Sequence, residues 1–452
     1  MIGRKTGISL GLALFLLAPI FAQAQPPTTD QPPVTRQPVA SQPLTIDEAV
    51  RLAISRNRTV QAAREQVEQA QAGIEIAEAG RRPMVNATVQ YNRNPGGGEF
   101  EIPTVPGQPP QIVTISATEN TIGVIEARQA VYTGGRVSAE ISRAQALYDV
   151  SLGQLGATEA EIALSTRETY YNALLAQSLT ESEQLNLEAA QEALRVAEAR
   201  FDVGTAARFD VLRAQTTVSE AEQRLEEARN RARIAEIALN RLIGAPIAQD
   251  QQLVSPPLAP LPERGPDALV DAALVQRGEV LASRAQVAAA EAGIRIARSE
   301  RRPEIGVAAT YQIVGNENPG QTTGLAFLAT ASLPIYEGGR ISANIRQSQS
   351  ARDEARLNLE ETERTVEQDV RQEYLNLQTD RRTIETAEAR LRQAQEAYEI
   401  ATVRYEAGVG TAVEVADALA TLAAARTNLD QARFNYNIAF ARLQRALGLA
   451  IY

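Results

Sequence analysis

The chain reads as a mixed α+β protein built from a duplicated helix–β-hairpin–helix repeat, and three observations predict it. The first is self-similarity. Residues 72–83, AGIEIAEAGRRP, return as residues 292–303, AGIRIARSERRP. Tyr132-Thr133-Gly134-Gly135-Arg136 returns as Tyr336-Glu337-Gly338-Gly339-Arg340, and Arg200-Phe201-Asp202-Val203-Gly204 as Arg404-Tyr405-Glu406-Ala407-Gly408. Repetition on this scale marks one architectural unit that was copied and fused. The second observation is a seven-residue apolar period along polar segments. The third is a pair of short segments, one per copy, in which apolar and polar residues alternate.

Residues 1–24 read as a secretory leader, and they open the chain. Arg4 and Lys5 precede an apolar run from Ile8 to Ala18, and Ala22-Gln23-Ala24 supplies small residues for cleavage after Ala24. Such a run is too short to be retained as a spanning helix. Residues 25–43 are rich in Pro, Gln and Thr and read as a flexible lead-in. Repeat 1 is expected over 44–250, with a β-hairpin at about 84–132 and a helical hairpin whose tip lies at about 202–209. A Pro-rich linker covers 251–265. Repeat 2 covers 266–452, with its hairpin at about 304–336 and its tip at about 406–412.

Within each repeat the helices are defined by their seams. Leu187, Ala190, Leu194, Ala197 and Phe201 are spaced 3,4,3,4, as are Leu391, Ala394, Tyr398, Ala401 and Tyr405. Beyond each tip the seam resumes, from Val211 to Leu239 and from Val415 to Leu443, with Ala at nearly every second position. Small seam residues let neighbouring helices approach closely. No Pro interrupts 137–201 or 341–405, so either helix would extend on the order of 100 Å at ~1.5 Å per residue. A globular core does not need that length, whereas a chain crossing an aqueous compartment does.

Strand signals lie between the helices. Val85, Ala87, Val89 and Tyr91 alternate with Asn86, Thr88, Gln90 and Asn92, and Ile305 to Ile313 alternate likewise. The return strands read as 112–131 and 322–333. Pro83 and Pro303 stop a helix before each hairpin, and the two Gly-Gly pairs turn the chain back into one. The first copy carries 16 extra residues, including Pro95-Gly96-Gly97-Gly98, which predicts a longer loop. Dyad alternation of this kind is the signature of a membrane β-barrel strand, which makes the protein a mixed α+β membrane protein. Tyr132 and Tyr336 stand where interfacial aromatics belong. Four strands cannot close around a lumen, and lipid does not tolerate an open edge. Several chains must then share one barrel, and cyclic symmetry is the natural way.

Composition narrows the chemistry. The chain holds 45 basic and 55 acidic residues, a net charge of −10, with no His, no Cys and no Trp. Its single Lys is Lys5. So acidic a surface disfavours nucleic acid. Metal sites and nucleophile–base pairs draw mostly on His or Cys, so no catalytic residue, cofactor or metal is expected. A phosphate-binding loop needs a Lys that the chain beyond the leader lacks, so energy must come from elsewhere.

The order of elements, together with the tips RFDVGTAARFDVL (200–212) and RYEAGVGTAVEVADA (404–418), resembles the TolC-type outer membrane efflux family from about Leu44 to Gly448. The resemblance implies a homotrimer with a 12-stranded β-barrel continuous with a 12-helix periplasmic α-barrel. It also implies partners: a periplasmic adaptor (membrane fusion protein), an inner membrane transporter of RND, ABC or MFS type, and outer membrane lipid. By position, Glu414 and Asp417 fall on the family's ring of tip acids, Asp210 on the acid of the first tip, and Tyr405 on the tip aromatic. Gly410 stands where some members carry a basic gate residue, so that salt bridge is not carried over, and Arg208 is the basic group considered in its place. Gly204, Gly408 and Gly410 would shape the tip turns that meet an adaptor.

Each of these residues also has a local reading. Thr411 followed by Glu414 fits a capping box, and acids suit the first turn of any helix. A capping acid can still face a lumen, where six carboxylates around one axis would favour cations. Gly204 and Gly408 are expected to supply positive φ. The functional expectation is an exit duct of a tripartite export system, not an enzyme, in the outer membrane with a large periplasmic portion. The alternatives are a duct for type I protein secretion and, in a different class, a periplasmic coiled-coil adaptor without a pore.

Overall fold

The computed structural model describes residues 43–93, 99–102, 111–114, 119–205, 207–316, 322–407 and 409–449. The leader with Ala24, nearly all of the lead-in, Pro95-Gly96-Gly97-Gly98 and Gly408 lie outside the described residues. The first repeat runs α1 (Ile46–Arg56), α2 (Arg58–Ala79), β1 (Met84–Arg93), β2 (Glu99–Ile102), β3 (Gln111–Thr114), β4 (Glu119–Tyr132), α3 (Arg136–Asp202) and α4 (Arg208–Ile243). The second runs α5 (Pro266–Gln276), α6 (Gly278–Ser299), β5 (Glu304–Asn316), β6 (Thr322–Ser332), α7 (Arg340–Glu406) and α8 (Ala412–Ala446). Corresponding helices agree in length: α2 and α6 have 22 residues each, and α3 and α7 have 67. No helix among the described residues is long and apolar enough to cross a membrane.

The first two helices open on side chains that satisfy their end groups. The Thr45 hydroxyl accepts the Glu48 N–H at 3.3 Å and opens α1. Asn57 closes α1 with its own N–H to the Ala53 carbonyl and opens α2 by accepting the Thr59 N–H at 2.8 Å. One residue therefore ends one helix and begins the next, which fixes the break between them. At the other end of each hairpin the Gly134-Gly135 and Gly338-Gly339 pairs all have positive φ, from 57° to 91°.

Four strands make one antiparallel sheet in the order β1-β4-β5-β6, so the two repeats join through β4 and β5. Register places Val85, Val89, Ile125, Ala127, Val307, Ala309, Tyr311, Leu325 and Phe327 on one face, because paired residues point the same way. Asn86, Thr88, Gln90, Glu126, Arg128, Thr310 and Gln312 share the other. The first face is largely apolar, and the second carries most of the polar side chains, with Ile122, Val124 and Leu328 among them. Phe327 is 80% exposed, Leu325 63% and Val89 78%, a solvent exposure that only a lipid or protein cover makes tolerable.

The return strand expected over 112–131 is divided in the structure. Residues 111–114 pair with 99–102 in a separate two-stranded ribbon, and only β4 returns through the main sheet. The extra residues of the first copy give the chain enough length to fold back on itself before it re-enters the sheet.

Below the sheet, α3 packs against α2 and α4 of its own repeat and against α6 and α8 of the other. Two glycines make the closest approach. A Cβ on Gly153 would stand 2.7 Å from the Ala282 nitrogen and 2.7 Å from the Gly278 carbonyl oxygen. The heptad seams are buried as spaced: Leu187 and Ala190 meet Ala221 and Leu225, and Ala394 meets Leu422 and Ala425. Midway along, buried polar side chains strap the linker to the helices. The Tyr170 hydroxyl lies 2.7 Å from the carbonyls of both Leu44 and Val254 and accepts the Val254 N–H at 2.9 Å. Tyr436 donates to the Ala259 carbonyl at 2.9 Å, and Asn240 donates to the Gln249 carbonyl at 2.6 Å. Burial pushes the neighbouring Tyr171 phenol up to about 12.

Candidate functional site: the helical tips

Each helical hairpin turns within a few residues. In the first tip Gly204 takes φ +76°, a conformation that a side chain would strain. Its N–H reaches the Phe201 carbonyl at 2.9 Å, and Thr205 donates backbone and hydroxyl to the Arg200 carbonyl at 2.8 and 3.1 Å. In the second tip both Val409 and Gly410 donate to the Arg404 carbonyl at 3.0 Å. Gly410 does not use positive φ. It is pressed on the end of α7, where an added Cβ would lie 3.0 Å from the Tyr405 nitrogen and 3.1 Å from the Arg404 Cβ. Any side chain at 410 would require these neighbours to give by a few tenths of an ångström.

The acids divide by role. The Asp210 carboxylate accepts the Ala207 N–H at 3.2 Å and so caps α4. At the second tip the cap is Thr411, whose hydroxyl accepts the Glu414 N–H at 3.3 Å. Capping by a carboxylate, which the sequence suggested for Glu414, is made by Asp210 instead. Ala207 has no side-chain acceptor, so α4 keeps only the half of a capping box that reaches back to the cap amide, whereas α8 keeps the half in which the cap hydroxyl accepts the amide three residues on. Glu414 and Asp417 are exposed and three residues apart on α8, hence on one face.

The two tips are joined by a contact that the sequence does not announce. The Arg200 guanidinium carbon lies 4.2 Å from the centroid of the Tyr405 ring, a cation–π geometry linking the end of α3 to the end of α7. Arg208 is exposed and has no carboxylate within 4.0 Å among the described residues. The only sequence signal for Arg200 is that an Arg precedes the tip aromatic in both copies. Apolar side chains crowd the same end: Val203 is 73% exposed, Phe209 68% and Val409 70%. At the opposite end of the long helices Tyr132 closes β4 and Tyr336 follows β6, both exposed. Among the described residues no cluster of three or more acidic side chains could hold a metal ion.

A largely apolar-faced strand sheet carried on helical hairpins of about 100 Å that end in tight turns fits a channel protein of the cell envelope. The chain belongs to the outer membrane efflux protein family, whose model matches residues 49–245 and 269–449. It is 27% identical over 414 residues to the pyoverdine export outer membrane protein OpmQ of Pseudomonas aeruginosa, covering 89% of this chain and 84% of that one. It is 25% identical over 429 residues to the cobalt-zinc-cadmium resistance protein CzcC of Cupriavidus metallidurans, covering 94% of each. Among solved structures, the outer-membrane channel OprN superposes with a TM-score of 0.73 over 89% of each chain at 18% identity. The protein is an outer membrane efflux channel with a helical periplasmic portion, and not an enzyme.

Proposed function

We propose that three copies of this chain form the passive exit duct of a tripartite export system, with a 12-stranded barrel in the outer membrane and a 12-helix tube in the periplasm. The observation that carries this reading is that one protomer is open on both levels. Among the described residues its sheet ends at β1 and β6 with no further strand beyond them, and α7 packs along its length against α5, α6 and α8 and meets α3 through the Arg200–Tyr405 contact at the tip, where α3 has helices on both flanks. An unpaired edge in lipid leaves backbone groups unsatisfied, so neighbours must supply the missing strands. The apolar sheet face turns to lipid and the polar face to water. Repeat 1 (44–250), the linker (251–265) and repeat 2 (266–452) then act as two staves and their tie.

The tips form the periplasmic gate. Glu414 and Asp417, repeated by symmetry, make a negative collar that favours cations and resists anions. Arg200 on Tyr405 holds the two hairpins of a protomer together, and Asp210 stiffens the start of α4. Gly204 and Gly410 keep the turns tight, and Val203, Phe209 and Val409 offer an apolar rim to a periplasmic adaptor. An inner membrane transporter supplies the energy. Relatives named for pyoverdine export and for cobalt-zinc-cadmium resistance match nearly the whole of this chain, which supports a duct whose cargo is chosen by its partners. Planar-bilayer recording tests the gate: Glu414→Ala with Asp417→Ala should lower the cation-over-anion permeability ratio. An unchanged ratio would leave these residues with a local structural role only.

A further inference from the structure

The junction between the two repeats is visible inside one chain, and the chain's regularity allows it to be copied outward. Two constant offsets make this possible. Residues of β4, the Gly-Gly turn and α3 correspond to residues 204 positions later, while those of α6 and β5 correspond to residues 220 positions earlier. Matching lengths of α3 with α7, and of α2 with α6, hold these offsets along the whole helices.

Three contacts define the junction. β4 pairs with β5, with Ala127 opposite Ala309. The Arg302 guanidinium donates to the Gly134 carbonyl at 2.9 Å. Gly278, at the start of α6, is pressed on α3 so closely that a Cβ there would stand 2.7 Å from the Ala157 nitrogen and 3.3 Å from the Gly156 carbonyl carbon.

Carried over by the offsets, the first contact becomes Ala331 of β6 opposite Val89 of β1. Both belong to the apolar face, so the copied register keeps the sheet's two faces continuous across the seam. The second becomes Arg82 donating to the Gly338 carbonyl. Arg82 is exposed, and a Cβ at Gly338 would meet nothing within 4 Å, so both sides stand open in the protomer. In the third the chemistry changes. Arg58 stands where Gly278 stood, and Glu360 and Glu361 stand where Gly156 and Ala157 stood. Arg58 lines an open cleft with Arg56, Arg241 and Gly244, and none of these arginines has a carboxylate within 4.0 Å among the described residues. Glu360 and Glu361 are exposed on the flank of α7 and are likewise without an ion-pair partner.

We infer that the seam between protomers follows the junction between repeats but opens at the glycine contact, where Arg58 has no room for the close backbone approach and an ion pair takes its place: Arg58 of one subunit against Glu360 and Glu361 of the next, with Arg82 capping the Gly338 turn above it. Inside one chain, backbone contact suffices because the two repeats cannot drift apart. Between chains, charge selects the register: sliding α7 by one turn would bring Arg58 toward Arg364 or Arg356 instead. This inference rests on the proposed multi-chain duct and adds the residues that seal it.

The composition provides a clean test. Beyond the leader the chain has no Lys, so Arg58→Lys places a single side-chain amine in the protein while keeping the charge. A carbodiimide joins an amine to a carboxylate only at contact distance. Treatment of outer membranes holding the full-length variant should give covalent dimers and trimers on denaturing gels, with Glu360 or Glu361 found in the linked peptide. The unsubstituted protein should remain monomeric on the gel, and adding Glu360→Gln with Glu361→Gln should reduce the linked fraction at least several-fold. As a second measurement, Arg58→Glu should lower the temperature at which the assembly dissociates, and Glu361→Arg in the same chain should restore it. Absence of linked species, or linkage to other acids, with an intact oligomer by native mass would overturn the seam while leaving the duct standing. A monomer by native mass would overturn both.

Discussion

Gly153 and Gly156 lie one turn apart on α3, yet the same substitution should move them in opposite directions. A Cβ at 153 would meet Ala282 nitrogen and Gly278 oxygen at 2.7 Å, whereas a Cβ at 156 would meet nothing within 4 Å. Ordinary contact begins at 3.4 Å, so α3 and α6 would have to separate by roughly 0.7 Å to admit Gly153→Ala. Both obstructing atoms are backbone and cannot rotate away. Overpacking of this kind costs about 1–3 kcal/mol. Either substitution also gains about 1 kcal/mol from replacing Gly by Ala within a helix. That gain cancels in the comparison, leaving Gly153→Ala less stable than Gly156→Ala by about 1–3 kcal/mol. Guanidinium unfolding in detergent, followed by far-ultraviolet circular dichroism, reads the difference. Equal midpoints, or a higher midpoint for Gly153→Ala, would refute the close approach of α3 and α6.

Further outcomes follow from the same contacts. Tyr170→Phe strips the buried hydroxyl that bridges Leu44 and Val254, and it should cost about 1–3 kcal/mol in the same unfolding assay, since buried backbone groups lose their partner. Asp210→Ala removes the carboxylate cap of α4 and should cost about 0.5–2 kcal/mol locally, seen as faster amide hydrogen exchange at the start of α4 and not at the start of α8. Arg200→Ala and Tyr405→Ala should each weaken the link between tips by about 0.5–1 kcal/mol, the range for an exposed cation–π pair. Their effects on closed-state leak in bilayer recordings should be non-additive in the double variant, and additive effects would remove the pair from the gate.

Much of this architecture is legible in the sequence because its periods are long and its copies agree. The seam from Val211 to Leu239 is spaced 3 and 4 throughout, and its central residues Ala221, Leu225 and Ala228 are buried. The Tyr-x-Gly-Gly-Arg turns stand out because positive φ demands glycine. What escapes the sequence is contact between distant parts. Gly153 reads as an isolated weakness in a helix until Gly278 is brought against it. Arg200 reads as one more solvated charge, since its ring lies on a tip about two hundred residues away. The ribbon of 99–102 with 111–114 was hidden for another reason: its strands are too short to show a period of two. The division of labour between Asp210 and Thr411 was likewise local geometry, decided by which residue happens to stand at the cap.

Conductance of the detergent-extracted protein in a planar lipid bilayer tests the central claim most directly. A conduit completed only between protomers predicts discrete conductance steps, cation-preferring, carried by an assembly whose native mass is three times that of one chain. A homogeneous monomer that leaves the bilayer electrically silent would contradict it.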